Sequence, residues 1–435
     1  MTYTESIDYL NDLAKFGIRP GLERILSLLS RLGDPQKKYK TIHVTGTNGK
    51  GSVTIMLSSI LSESGCRTGA FTSPHLFRYT ERMTINGREI SEEEFAEAAD
   101  EVRICVEKML DDKEECPTQF EFLTAMAFVY FANKEVDYAV IEVGLGGLLD
   151  STNVIVPEIS VITNVTLEHA DKCGGTLEGV AHHKAGIIKS GVPVVSGADG
   201  IAVDIISERA NKLGSSLYLY GRDFKVTKSI MKERISDEQS LLFNDAVGSD
   251  LEYALQMKAE YQIINSAVAV MTAKILAEKD GKITEQSIKD GMRKAFWPGR
   301  FELFSNGKKK IVIDGAHNPA GIEALRKSLD SIFPETKRIF LLGILRDKAV
   351  SDMIKLLLRT EDRVVVTSPD SDRAATPEEI VERIHGSKVI AVSGDREEAL
   401  DIAIGEQQED ELLVITGSLY LIGFIRELLI AKLRR

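Results

Sequence analysis

The chain has 435 residues, 43% of them apolar and 28% charged, and a net charge of −12. These values exclude a fibrous or wholly disordered chain and point to two or three folded domains. The acidic balance argues against a surface that coats nucleic acid, so an anionic ligand needs a local site. Cys66, Cys105, Cys116 and Cys173 show no CxxC spacing, which predicts reduced thiols in a cytoplasmic protein rather than a zinc or disulfide framework. The opening MTYTESIDYLNDLAKF lacks the apolar stretch of a signal peptide. The apolar run at 125–132 is far shorter than the ~18 residues of a membrane span. A soluble chain without a membrane partner is expected.

Strand-like and helix-like segments alternate. A β-branched strand at 41–45 leads into a Gly-rich turn and a helix at 52–63. Buried strand patterns recur at 138–143, 159–165 and 192–195. This βαβ rhythm predicts a mostly parallel sheet covered by helices. Residues 202–255 mix polar positions with short alternating segments at 216–220 and 224–229, read as peripheral antiparallel strands. Helical patterns return at 261–278 and 285–295. Trp297-Pro-Gly-Arg300 then breaks the pattern. A fresh α/β series follows, with strands expected at 310–313, 338–343, 363–367, 388–392 and 412–416. Two domains are expected, 1–296 and 297–435.

The strongest local signal is Val44-Thr-Gly-Thr-Asn-Gly-Lys-Gly-Ser52. A strand, a Gly-rich turn and a helix in that order form a phosphate cradle, with backbone N–H groups turned inward at a helix N-terminus. Gly46, Thr47, Asn48, Gly49 and Gly51 would line it. Lys50 would reach the β/γ-phosphates and Ser52 would ligate Mg²⁺. The loop departs from GxxxxGK[ST], because Val44 takes the first-glycine position and Gly51 separates Lys50 from Ser52. The competing reading is a Gly-rich turn with an exposed lysine. A dinucleotide-binding dehydrogenase is disfavoured, since GxGxxG is missing after the first strand.

TGTNGKGS, Ser73-Pro-His75, EVGLGG at 142–147 and DGAHNP at 314–319, in this order, resemble the Mur ligase superfamily of ATP-dependent amide ligases. Within it, the match is to the folylpolyglutamate synthase/dihydrofolate synthase family. The resemblance runs from Gly21-Leu-Glu-Arg24 to Thr416-Gly-Ser-Leu-Tyr-Leu421. Only about 40 residues precede the phosphate loop, too few for the nucleotide-sugar domain of other Mur ligases. The implied fold is α/β: an N-terminal P-loop-type ATPase domain with a mostly parallel sheet and a smaller peripheral β part, then a C-terminal Rossmann-like α/β domain.

The resemblance also implies roles. Ser73 and Glu142 would hold Mg²⁺ with Ser52, and His169 a second Mg²⁺; a monovalent cation belongs to the same picture. Lys184, within Ala181-His-His-Lys-Ala-Gly-Ile187, would be a carbamylated lysine bridging metal. Arg82, Thr118, Phe120 and Asp150 would contact the pterin. Asn265, Arg300 and Asp314 would bind the nucleotide, and His317 would lie near the transferred phosphate. Lys50, Lys184 and His317 are the expected catalytic residues. Leu148, Glu168, His183 and Tyr261 stand where relatives more often have arginine, aspartate, glutamate and histidine.

The implied reaction joins L-glutamate to a reduced folate, or to dihydropteroate, through an acyl phosphate made from ATP. Nucleotide residues on both sides of 297–299 imply domain closure during turnover. The partners would be small molecules only, with no nucleic acid, and the chain a monomer. A monofunctional dihydrofolate synthase, a ligase for another small acid and a non-catalytic ATP-binding regulator are the alternatives.

Overall fold

The computed structural model describes residues 1–168, 172–231, 239–245, 248 and 250–433. The chain divides into two compact units. The first comprises Met1–Ile230, Ser240–Gln256 and Ile263–Phe296; the second is built on Met257–Gln262 and Trp297–Arg435.

The first unit carries an eight-stranded sheet. Its strands are β1 Lys40–Thr45, β2 Thr68–Phe71, β3 Met83–Ile85, β4 Arg88–Glu89, β5 Tyr138–Glu142, β6 Ile159–Ile162, β7 Val194–Ser196 and β8 Leu217–Leu219, in the spatial order β4-β3-β2-β5-β1-β6-β7-β8. In the spatial order from β2 to β8 the strands are parallel, and those from β2 to β7 are buried along almost their whole length because both faces are covered. One face packs on the helices Tyr3–Leu13, Glu23–Arg31, Glu92–Asp111 and Gln119–Asn133 through Leu10, Leu28, Phe95, Phe122 and Phe128. A separate core including Val143, Ile162, Val194 and Ile206 buries the helices Leu177–Ala185 and Ile201–Lys212.

Local chemistry sets the helix starts. Ser91 and Thr118 each accept from the N–H three residues on, while Glu94 and Glu121 reach back to the cap N–H groups. The helix Lys50–Glu63 lies close against Glu285–Lys294, because a Cβ on Gly291 would come within 2.3 Å of the Ile60 Cα.

Two differences from the sequence reading stand out. β8 was expected in a peripheral antiparallel group, yet it pairs in parallel with β7 at the edge of the main sheet. The region before it is helical, at Ile201–Lys212. The small antiparallel sheet is β9 Phe224–Met231, β10 Gln239–Asp245 and β11 Leu251–Leu255. Ile85-Asn-Gly87 is the turn of an edge hairpin between β3 and β4, with positive φ at Asn86 (49°) and Gly87 (74°).

The second unit has a six-stranded sheet of β12 Glu302–Asn306, β13 Lys309–Ile313, β14 Lys337–Leu342, β15 Arg363–Val366, β16 Lys388–Val392 and β17 Glu411–Thr416, in the order β12-β13-β17-β14-β15-β16. Only β12 is antiparallel to its neighbour. Val312, Phe340, Val364 and Val414 build its core against Leu325 and Leu329 of the helix Pro319–Ile332.

Candidate active site

The order β2-β5-β1-β6 sets four motifs side by side at the carboxyl ends of parallel strands, where open α/β sheets bind ligands. β2 runs into Ser73, β5 ends in Glu142, β1 feeds the Gly-rich loop and β6 leads to Thr163 and Asn164. Glu142 pairs in register with Val44. Its buried Oε2 accepts the Ser73 N–H at 3.1 Å, so Ser73 and Glu142 are brought together.

The loop is held from the β6 side. Thr47 N–H donates to Asn164 O at 3.1 Å, and Asn48 N–H to Asn164 Oδ1 at 2.9 Å. Thr163 Oγ1 donates to Asn48 O at 2.6 Å. Gly46, at φ 153°, has no room for a side chain, because a Cβ would lie 1.8 Å from Thr163 Oγ1. Gly49, at φ 85°, is the N-cap of Lys50–Glu63 without a side-chain cap. A Cβ there would meet Asn265 Oδ1 at 2.3 Å, so Asn265 lies against the loop. Lys50 Nζ donates to Gly46 O and Thr47 O, each at 3.1 Å. Gly51 and the buried Ser52 follow in the first helical turn.

Lys184 lies near the end of Leu177–Ala185 and is only 4% exposed. Burial pushes its amine down to about 7 and the Lys50 charge adds to this, with Cys173 and Glu168 acting the other way. His169 lies outside the described residues.

The residues expected on the pterin side have the following partners within the protein. Phe120 stacks on Phe71, with centroids 6.0 Å apart, and its ring lies against Gly144, where a Cβ would be 2.4 Å from Cζ. The Thr118 hydroxyl caps the helix Gln119–Asn133. Asp150 Oδ2 accepts the Leu145 N–H at 2.8 Å, and Oδ1 accepts Thr152 N–H at 3.0 Å and Thr152 Oγ1 at 2.5 Å. Burial raises the Asp150 pKa against these hydrogen bonds. Arg82 Nε donates to His75 Nδ1 at 2.8 Å, and His75 lies 4.4 Å from the Tyr79 ring. Burial first, then Arg82, pushes the His75 pKa down to about 3.

In the second unit, Asp314 follows β13 directly. Its Oδ2 accepts from Tyr261 OH at 2.6 Å and Phe301 N–H at 2.9 Å, and its Oδ1 from Ala316 N–H at 2.8 Å. Burial raises its pKa, opposed by the Tyr261 hydrogen bond and the Arg300 charge. Arg300 packs on Gly315, where a Cβ would meet Nη1 at 2.1 Å. His317 Nδ1 is 2.8 Å from Gly315 O.

The donor set at β2, β5 and β1 consists of hard oxygens, Ser52, Ser73 and Glu142, which suits Mg²⁺ rather than a soft metal. Among the described residues no group of three or more His, Cys, Asp or Glu side chains could hold a metal. Thr163 and Asn164, which hold the loop from the β6 side, are not among the site residues expected from the sequence. Their place directly after the strand beside β1 is the signal that could have found them.

Comparison with known proteins fits this arrangement. The Mur ligase middle domain matches residues 44–273, and the Mur ligase glutamate ligase domain residues 299–419. The chain belongs to the Mur ligase family. It is 37% identical to the folylpolyglutamate synthase of Lacticaseibacillus casei, covering 99% of each chain. It is 33% identical to the dihydrofolate synthase/folylpolyglutamate synthase of Bacillus subtilis, covering 98% of each. An Escherichia coli relative solved in complex with DHPP and ADP superposes with a TM-score of 0.87 at 28% identity, covering 99% of this chain and 98% of that one. Full-length identity at this level places the chain in the folylpolyglutamate synthase/dihydrofolate synthase branch. Among the described residues no helix is long and apolar enough to cross a membrane.

Proposed function

We propose that the chain is an ATP-dependent ligase that adds L-glutamate to reduced folates and also to dihydropteroate. The observation that carries this reading is the juxtaposition of a Gly-rich loop at a helix N-terminus with a buried carboxylate on the neighbouring strand. The names of the L. casei and B. subtilis relatives support the acceptor class, and the ADP of the E. coli complex supports the nucleotide.

A carboxylate is a poor electrophile. Its oxygen therefore attacks the γ-phosphorus of ATP, ADP leaves, and an acyl phosphate forms. The neutral amine of glutamate then attacks the acyl carbon. The tetrahedral adduct expels phosphate and the nitrogen loses a proton, leaving the amide. The protein's share is alignment and charge neutralisation. The loop 46–52 cradles phosphates through backbone N–H groups, and Lys50 exchanges its loop carbonyls for phosphate oxygens. Ser52, Ser73 and Glu142 would hold Mg²⁺, which neutralises phosphate charge when bound. Lys184 is proposed to be carbamylated, a change that turns a buried cation into an anion. Asn265, Arg300 and Asp314 are proposed on the nucleotide, His317 by the transferred phosphoryl group, and Arg82, Thr118, Phe120 and Asp150 on the pterin.

The test is phosphate release from Mg·ATP and L-glutamate with dihydropteroate, with tetrahydrofolate, or with neither. Stimulation by both is expected. Stimulation by tetrahydrofolate alone would remove the dihydropteroate reaction and the roles of Asp150 and Phe120. Stimulation by neither would overturn the acceptor assignment.

A further inference from the structure

Behind the candidate pterin loop lies a buried polar chain that the proposed mechanism does not use. His43, fully buried within β1, places Nε2 2.9 Å from Thr152 Oγ1. Thr152 Oγ1 in turn lies 2.5 Å from Asp150 Oδ1. Both Asp150 oxygens also accept backbone N–H groups, from Leu145 and Thr152. Proton counting fixes the direction of the chain. Asp150 Oδ1 accepts from the Thr152 hydroxyl, and a hydroxyl has one hydrogen to give. Thr152 therefore donates to Asp150 and must accept from His43. His43 is thus the Nε2–H tautomer, and its Nδ1 has no hydrogen-bond partner. A buried ring nitrogen without a partner is costly, and an apolar residue in the middle of a parallel strand would avoid that cost.

We propose that His43 is a positioning residue for the pterin side of the reaction: its Nε2–H orients the Thr152 hydroxyl, which holds Asp150 in the orientation that receives the pterin. This rests on the reading of Asp150 given above. The competing account is a histidine that merely fills space inside β1.

The full-length enzyme would be assayed with dihydropteroate as acceptor, comparing wild type, His43→Leu, His43→Gln, Thr152→Val, Thr152→Ser and Asp150→Asn. His43→Leu and Thr152→Val are expected to raise the dihydropteroate KM about tenfold or more while the ATP KM stays within about twofold. His43→Gln, which keeps an N–H donor, and Thr152→Ser are expected to recover most of the loss. Parallel rises in both KM values, or no rescue by the conservative pair, would overturn the inference in favour of a packing role. An unchanged dihydropteroate KM in His43→Leu and Thr152→Val, with a raised one in Asp150→Asn, would overturn it while leaving Asp150 in place. A wild type that does not use dihydropteroate, or an unaffected Asp150→Asn, would remove the Asp150 assignment and this inference with it. If a variant fails to fold, the ¹⁵N spectrum of His43 in the wild type decides: a protonated Nε2 and bare Nδ1 are expected, and the opposite tautomer overturns the relay.

Discussion

The turn after β1 and the turn after β13 occupy equivalent places, each leaving a parallel strand and entering a helix. Their chemistry is opposite. After β1 the helix begins at Gly49, with no side-chain cap and a lysine folded over loop carbonyls. After β13 the helix is capped by Asn318, whose Oδ1 accepts the Gly321 N–H at 2.7 Å, and the strand-end residue is a carboxylate that accepts from three donors. A missing cap leaves helix-end donors for an anion, whereas a supplied cap closes them. The same topology thus yields one turn suited to phosphate and one suited to hydroxyl or amide donors.

Four experiments probe that contrast. Lys50→Ala should lower turnover about 10³-fold, the scale of losing one positioned charge donor, with little change in melting temperature. Phosphate release and thermal denaturation check both halves; a tenfold loss or less would mean the backbone alone carries the cradle. Gly46→Ala should cost about 1–3 kcal/mol of stability, because the new Cβ meets Thr163 and the φ is one that L residues avoid. Urea titration measures it. Asp314→Asn should cost about 2 kcal/mol and Tyr261→Phe somewhat less, since each disturbs hydrogen bonds to a buried charge. Equal stability of all three proteins would show the β13 turn to be loosely built.

A further effect is pH-linked. Burial, with a lesser contribution from Lys189, pushes the His43 pKa down from 6.5 to about 3. Between those values the unfolded chain binds a proton that the folded chain refuses, so stability falls as pH drops below about 6.5. The slope is up to about 1.4 kcal/mol per pH unit. Wild type minus His43→Gln, in urea titrations at pH 7 and pH 5, isolates this part. A difference that does not change with pH would mean that the histidine is solvated.

Much of this was legible in the sequence. The β-branched runs at 41–45 and 412–416 became strands, and the Gly-rich loop and Asp314 fell at strand ends, because covered parallel strands need continuous apolar runs and ligand loops need punctuation. The strand order was not legible: β5 inserts between β1 and β2 through pairing across about 70 residues or more, which no local pattern encodes. The β3–β4 hairpin was within reach, since Asn86-Gly87 is a strong two-residue turn signal. The region at 216–220 misled because a three-residue edge strand has too little length to reveal whether one or both faces are covered. The pairing of His43 with Thr152 joins positions 109 apart, and only the fold brings them together.

Gly144 follows the Glu142 strand end by two residues, and the Phe120 ring occupies the space its side chain would need. One absent methyl group therefore couples the carboxylate proposed to hold Mg²⁺ to the aromatic ring proposed to contact the pterin. Anyone reshaping acceptor choice has an asymmetric pair of handles. Trimming the ring at 120 enlarges the wall locally, whereas adding even one carbon at 144 pushes on the wall and on the strand end together. Selectivity engineering should begin at the ring and leave the glycine untouched.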